Sequence, residues 1–449
     1  MAILDVAAHP RRTCRTLPSV LMRAGTSKGL FIHRKDLPDQ QSDWAPHLIA
    51  ALGSQGADPR QIDGIGGGTS TTSKVAVVAP SKRPGIDVDF MFVQVEVGKE
   101  SVDFTGNCGN ILSGVGPFAV QEGLVRPVAG RNEVDVSIFN TNTCRTVVET
   151  LAVDEDGRFQ EDGDFTIPGV NSPGSEVRVA FVDPAGSVTG RLFPSGRKQE
   201  VLTVSAPPTL GEEVGRFDVR VTLVDAANPF VLVDAASVVG PLSSCPLSSD
   251  RRDVLVEAIR REGAVAMGLA ATVEAAAKTR GTPKIALVYA PTAKAAIDIA
   301  TIDAGDGDGD SKEAGSVAAE VDVWVQAYSM GRPHPSVQLT GAVCIAAALN
   351  VPGTVAAELS STRRGGAGAG GAGHERNGDD DDDAHGRNGD DGPAAGGRGT
   401  HGYEAEAVIA HGRGSVAVGV VVGADGGIER CVVSRTARRL MEGVVRYYI

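Results

Sequence analysis

From Ser19 onward, short apolar segments alternate with Gly, Pro and Asp turns: GLFIHR, SKVAVVAP, IDVDFMFVQVEV, EVDVSIFN, CRTVVETLAV and EVRVAFVDP. In DVDFMFVQVEV the apolar positions recur at every second residue, and β-branched side chains dominate the whole set. A strand turns successive side chains to opposite faces, so this period predicts strands with one buried face. A comparable set returns as RFDVRVTLVDAANPFVLVDA, PKIALVYAP, EVDVWVQAYS and SVAVGVVVG. Between the sets, SSDRRDVLVEAIRREGAVAMGLA gathers its charges on one side and predicts an amphipathic helix.

Two further stretches, Cys108 to Glu122 and Ser336 to Asn350, are apolar nearly all round. A helix of that kind has no face for water, so each is expected to be wrapped by other structure. Pro117 removes one internal hydrogen bond from the first and predicts a kink there. Both stretches hold a hydroxyl-glycine-small step, Ser113-Gly114-Val115 and Thr340-Gly341-Ala342, and each lies in a strand-rich half of similar size. The pattern reads as an internal duplication of class α/β (α+β): two similar domains, each a curled, mostly antiparallel sheet around one central helix. The boundaries expected are 1–205, carrying Lys74 and Cys108, and 206–449, with its helix near 335–350 and the C-terminal segment packed back on the first domain.

At 449 residues the chain exceeds the size at which one core keeps growing, which agrees with two domains. With 42% hydrophobic residues, only 4% aromatic and 57 glycines, the cores are built from Val, Ala, Leu and Ile with close backbone approaches. The segment 363–402 is Gly- and Asp-rich, cannot bury apolar surface and is expected to be a disordered insertion. The acidic run DAGDGDGDSKE resembles a calcium loop only superficially: counted from Asp306, Ser311 stands where Gly is needed and Val317 where a bidentate Glu is needed. Much of the formal net charge of −13 sits in these two segments, and no basic cluster with interleaved aromatics marks a nucleic-acid surface. The six cysteines, at 14, 108, 144, 245, 344 and 431, form no CxxC pair, so neither a metal site nor a disulfide framework is expected. No apolar run has the length to cross a bilayer. A cytoplasmic location is expected, with Arg11, Arg12 and Arg15 leaving a mitochondrial presequence as the alternative.

Three places carry candidate chemistry. The run DGIGGGTSTTSK fails as a phosphate loop, because Lys74 follows Ser73 and leads into a strand, and GxGxxG fails because Thr69 stands where the third Gly belongs. What remains is a hydroxyl-dense loop delivering Lys74, either as an exposed strand-edge lysine or as a site residue. In GNCGN, Asn107 and Asn110 tolerate unusual backbone angles, Gly106 and Gly109 permit close approach, and Cys108 falls at a helix start. A thiol there is acidified by the helix dipole, although a buried structural cysteine is the competing reading. In GRPHPS, His334 or Ser336 falls near the cap of the second central helix, whose free amides make a second anion site. Two such sites facing one cleft suit a di- or tricarboxylate.

The segments MRAGTSKGLF, DGIGGGTSTTSKVAVV, GNCGNILSGVGPFAVQEGLV, FTIPGV, GSVTGRLFPSG, HPSVQLTGA and RTARRLMEGVV, in this order, resemble the methylaconitate cis-trans isomerase (PrpF-type) family. That family includes aconitate isomerases, methylitaconate isomerases and oxalomesaconate tautomerases, and the resemblance covers the chain apart from its two low-complexity insertions. It implies a diaminopimelate-epimerase-like fold, no metal or organic cofactor, and a small di- or tricarboxylate as the partner, with no nucleic acid or membrane and a monomer or homodimer. It implies that Lys74 and Cys108 form a catalytic pair, and that Thr26, Ser27, Thr72, Ser73, Asn107, Gly109, Asn110, Ser336 and Thr340 line the substrate. One departure is AHGRGSV, from Ala410, which lacks the His-Pro-Ser-Gly usual in the family. The chemistry implied is removal of a proton γ to a conjugated carboxylate by Lys74 and its return by Cys108, so that a double bond rotates or shifts. Aconitate or methylaconitate is the substrate expected. An oxalomesaconate-type tautomerase, a two-base epimerase and a non-catalytic binding protein are the alternatives.

Overall fold

The computed structural model describes residues 12–210, 215–238, 249–292, 321–364 and 402–449. The acidic run 303–314 and the insertion from 365 to 401 lie outside the described residues. Eighteen described strands join in one hydrogen-bonded sheet that curls twice. In the first curl Cys14–Ala24 pairs antiparallel with Ser27–His33, which runs parallel to Lys74–Pro80. Lys74–Pro80 pairs antiparallel with Val88–Val95, and that strand runs parallel to Glu133–Asn140. Two antiparallel steps, to Arg145–Ala152 and then to Val177–Val182, complete it.

The second curl repeats this order of directions. Arg216–Asp225 is antiparallel to Pro229–Asp234, which is parallel to Lys284–Tyr289. Val323–Ser329 follows antiparallel, Tyr403–His411 parallel, and Gly414–Val422 and Ile428–Arg435 antiparallel. The fourth strand of each curl also pairs with a two-residue strand, Val102–Asp103 or Arg332–Pro333, shortly before a central helix. Even single residues correspond: Gly29 lies opposite Lys74 as Phe230 lies opposite Lys284. The curls are stitched by Val177–Val182 on Ile428–Arg435, and Ala437–Tyr448 pairs along Cys14–Ala24, so the chain's last strand lies in the first curl.

The central helices differ from expectation at their ends. The first is broken into Gly109–Leu112 and Val115–Gln121. Gly114 is pressed against Phe31 and Ala24, where a Cβ would come within 2.7 Å of the Phe31 ring. Pro117 is the third residue of the second piece, where its missing N–H costs nothing because first-turn amides have no helical partner. The second helix runs Leu339–Leu349, capped by Gln338 rather than by Ser336. The chain stays extended up to that point because Arg332–Pro333 is held in the sheet, the His334 amide donates to the Ala327 carbonyl at 2.8 Å, and Pro335 bars His334 from helical angles.

Both helices are wrapped. Ile111, Leu112 and Phe118 share one apolar cluster with Val343, Ile345 and Ala346, and each large side chain so enclosed contributes about 1.5–3 kcal/mol. The helix starts abut, since a Cβ on Gly109 would fall 2.7 Å from Leu339 Cδ2. No helix of the described residues is long and apolar enough to cross a membrane.

Candidate active site

Lys74 opens its strand and is only 6% exposed, so it is no edge lysine. Its ammonium donates to Gln94 Oε1 at 2.6 Å and lies 5.0 Å from the centre of the Phe92 ring. Gln94 is fixed in turn, its Nε2 donating to the Ser73 carbonyl at 2.8 Å. Gly29 is required opposite, because a Cβ there would fall 2.7 Å from the Lys74 carbonyl oxygen. Burial holds the Lys74 amine below its ordinary value, opposed by the nearby Cys108. The hydroxyls of Thr72 and Ser73 do not face this amine. Thr72 Oγ1 bonds to Thr69 Oγ1 at 2.7 Å, and Ser73 Oγ donates to the Val95 carbonyl at 2.9 Å while accepting from Gln61 Nε2. A strand alternates its side chains, so Ser73 points away from the face that Lys74 takes. Both residues brace the glycine-rich loop.

Cys108 is the cap residue of Gly109–Leu112, with extended backbone and a buried sulfur. Burial alone would raise its thiol, but Lys74, Lys284, the Ile111 amide and the Ser27 hydroxyl together bring it below the ordinary value. The four-residue helix is too short to supply much dipole, and the two lysines lower the thiol more than the amide does. Asn107 is spent as a clamp between the curls: Nδ2 donates to the Ala227 carbonyl and Oδ1 accepts from Asn140 Nδ2, each at 2.9 Å. Asn110 Nδ2 donates to Thr26 Oγ1 at 3.0 Å, and Thr26 Oγ1 lies 3.4 Å from Ser336 Oγ of the second curl. Thr26, Ser27, Asn110 and Ser336 are thereby gathered with Lys74 and Cys108. Thr340 Oγ1 is buried near the start of the second helix without a hydrogen-bond partner. Counted from the helix caps Cys108 and Gln338, Thr340 corresponds to Asn110, and the match of Thr340 with Ser113 read from the sequence is out of register by one turn.

Lys284, Arg435 and His411 of this cluster escaped the sequence reading, and His334, which that reading placed near the helix cap, joins them. Lys284 is half-buried, donates to the Asn107 carbonyl at 2.8 Å, and is brought down to about 8, chiefly by desolvation. Arg435 is buried, its Nε donating to Asn110 Oδ1 at 3.2 Å and Nη1 to the Ser434 carbonyl at 2.8 Å. His334 and His411 are each brought down to about 3, burial leading and neighbouring charges adding, so both are neutral. His411 belongs to the divergent AHGRGSV loop and senses Arg435 and His334. A signal for Lys284 exists in the sequence: KVAVVAP and KIALVYAP are two copies of one strand, and the lysine heads both. Arg435 sits in RTARR with no pattern to separate it from the exposed arginines beside it.

The hydrogen-bond acceptors of Lys74, Lys284 and Arg435 are uncharged oxygens of Gln94, Asn107, Asn110 and Ser434, and none of the three forms an ion pair with a carboxylate among the described residues. Unpaired buried cations are costly, and a bound anion removes that cost. Cys344 is a different kind of thiol. Its Sγ lies 2.9 Å from both the Ala226 and Asn228 carbonyls, and burial raises it far above the ordinary value. No described group of His, Cys, Asp and Glu is arranged to hold a metal ion.

The PrpF protein family profile matches residues 14–368. The 2-methyl-aconitate isomerase of Shewanella oneidensis is 33% identical over 442 residues, spanning 95% of each chain. The 3-methylitaconate isomerase of Eubacterium barkeri is 33% identical over 433 residues, spanning 96% of each. The crystal structure of a methylitaconate-delta-isomerase superposes with a TM-score of 0.64 at 31% identity, covering 97% of this chain and 96% of that one. The two curls, each wrapped about a central helix, are the diaminopimelate-epimerase-like architecture. By sequence over most of its length and by fold over nearly all of it, the chain belongs to the PrpF family and is an isomerase.

Proposed function

We propose that this isomerase moves a proton and a double bond within an unsaturated di- or tricarboxylic acid, 2-methylaconitate or aconitate, with Lys74 and Cys108 as the proton-transfer pair. The observation that carries the reading is the pairing itself. One amine and one thiol, from distant parts of the chain, are buried together and each perturbs the other, amid cations that lack a carboxylate. The names of the relatives support the substrate class.

In this reading the substrate carboxylates occupy the positive ground near Lys284 and Arg435, with Thr26, Ser27 and Ser336 offering hydroxyls. Neutral Lys74 takes the proton γ to a conjugated carboxylate: the C–H bond breaks, an N–H bond forms, and the electron pair spreads into a dienolate. Acid-base assistance of this kind contributes roughly 10²–10⁴ in rate. The Cys108 S–H then gives a proton either to the carbon at the far end of the delocalised system, so the double bond moves, or to the carbon that lost one, so the double bond returns rotated. The ammonium of Lys74 finally hands a proton back to the thiolate through water. The net change is internal to the substrate, and no oxidant or second substrate enters. The two groups share protons as a unit, so their titration belongs to the pair.

A two-thiol epimerase is disfavoured. The position equivalent to Cys108 in the second half is Gln338, which does not ionise, and Cys344 is committed to backbone carbonyls. The test is incubation with cis-aconitate, trans-aconitate, 2-methylaconitate and 3-methylitaconate in deuterated water, followed by NMR. Isomerisation with deuterium incorporation at the reacting carbons is expected for at least one, and Lys74→Met abolishes both while the protein melts cooperatively. Exchange that survives in Lys74→Met removes Lys74 as the base, and inertness toward all four acids removes the substrate class.

A further inference from the structure

The second half contributes an amine to the cluster that no consideration of Lys74 and Cys108 accounts for. Lys284 heads its strand as Lys74 heads its own, in the same register against the preceding parallel strand. It is also the last of three ties that lace residues 281–284 onto 103–107. The Gly281 amide donates to Asp103 Oδ2 at 3.0 Å, Thr282 Oγ1 donates to the Thr105 carbonyl at 3.2 Å, and Lys284 Nζ donates to the Asn107 carbonyl at 2.8 Å. The third tie ends on the peptide that joins Asn107 to Cys108. A half-buried lysine whose long chain is fixed at both ends keeps its amine on the cysteine loop.

The ionisable groups around it leave the thiolate as the natural recipient of that charge. Cys108, Lys74, Cys344 and Asp103 act on Lys284; Lys74 and Lys284 act on Cys108, with the Ser27 hydroxyl and the Ile111 amide; and Lys74, Lys284 and Arg435 act on His334. Asp103 is otherwise occupied, its Oδ1 accepting from the Thr105 amide at 2.7 Å and hydroxyl at 2.6 Å and its Oδ2 from Gly281. Cys344 is held by two carbonyls.

We infer that Lys284 is a positioning residue for Cys108: the duplicated copy of Lys74, retained in the second half to hold the GNCGN loop through the Asn107 carbonyl and to stabilise the thiolate that Cys108 becomes when its thiol gives up a proton. The inference rests on the proposed role of Cys108 only for its consequence in turnover; the thiolate itself is measured without substrate. The experiment is titration of ultraviolet thiolate absorbance, taken as the difference between each protein and the same protein carrying Cys108→Ser. In Lys284→Met the midpoint moves up by about one to three pH units, the range expected when a nearby opposite charge is removed, and in Lys284→Arg most of that shift is absent. Lys284→Gln serves the same purpose if Lys284→Met does not fold. A midpoint that coincides with the parent protein in the uncharged variants overturns the inference, as does an equal shift in Lys284→Arg. A rise in KM with the thiol titration unmoved makes Lys284 a substrate ligand instead, and equally overturns it. Loss of all isomerase activity in the parent protein would sink the proposed function yet leave this titration interpretable.

Discussion

Among the described residues Gln94 is the one side chain that accepts from the Lys74 ammonium, and replacing it by glutamate turns that neutral acceptor into a charge at the same place. The perturbation is isosteric, and the oxygen in question sits 2.6 Å from Nζ. An opposite charge at such range moves an amine upward by about one to three pH units, each unit corresponding to about 1.36 kcal/mol. Desolvation of the new carboxylate takes back part of this, so the lower half of the range is the better expectation. The sign is fixed by the proposed chemistry: a base must be neutral, and burial now holds Lys74 below its ordinary value. Raising it shifts the acid limb of kcat/KM to higher pH, and activity at pH 7 falls by roughly ten- to a hundredfold while recovering toward parent levels in alkali. The assay is kcat/KM followed over roughly pH 6 to 10. Gln94→Leu is the control: it removes the acceptor without adding charge, so its loss has no alkaline recovery. Superimposable profiles for Gln94→Glu and the parent protein, or a pH-independent loss, would refute Lys74 as the base.

Two further outcomes follow from neighbouring contacts. Arg435→Gln removes the buried guanidinium that donates to Asn110 Oδ1; if it binds a substrate carboxylate as proposed, charge-assisted hydrogen bonds contribute about 1.5–3 kcal/mol, so KM rises roughly 10- to 150-fold with a smaller change in kcat, and an unchanged KM in steady-state kinetics removes Arg435 from carboxylate binding. Gly109→Ala drives a methyl to within 2.7 Å of Leu339 Cδ2 and 2.9 Å of its Cβ, and is expected to cost about 1–3 kcal/mol. Urea midpoints check it: pairing it with Leu339→Ala recovers part of the loss, and full stability of the single variant would mean that the two helix starts do not meet as described.

The sheet was legible where one face of a strand is buried. Val88–Val95 keeps Val88, Phe90 and Phe92 inside, and its period of two is plain. Ala437–Tyr448 was legible only as a motif, because Leu440, Met441 and Val444 are exposed and the strand pairs only with Cys14–Ala24 among the described strands, so no alternation records its pairing. The central helices were legible as apolar runs, but their ends were not. Pro335 looks like the first residue of a helix, yet the sheet pairing of Arg332–Pro333, the His334 amide on the Ala327 carbonyl and the effect of Pro335 on His334 keep the chain extended up to Gln338. At the site, Lys74 and Cys108 stood out by motif, whereas Thr72 and Ser73 looked equally promising. Which hydroxyl of a TTSK run turns inward depends on the register with Val95, and that register is set by a partner strand about twenty residues away.

The duplication explains why the cluster is lopsided. Both halves keep the strand-heading lysine, and both bring a helix start to the same place, yet Cys108 faces Gln338. A site that inverts a stereocentre needs an acid and a base on opposite faces of one carbon, and Gln338 supplies neither. A proton shift along a conjugated system asks for something else: one amine and one thiol that can exchange a proton with different carbons of the same substrate, and fixed positive charge for the anion that grows between them. The second half has kept what that task uses, Lys284 beside the cysteine loop and Arg435 beside Asn110, and has dropped the second ionisable cap. On this argument, installing Gln338→Cys would add a thiol without adding an epimerase, because Gln338 Nε2 now holds the Tyr328 carbonyl at 2.9 Å and the new sulfur would inherit no lysine of its own: Lys284 is already tied to the opposite loop.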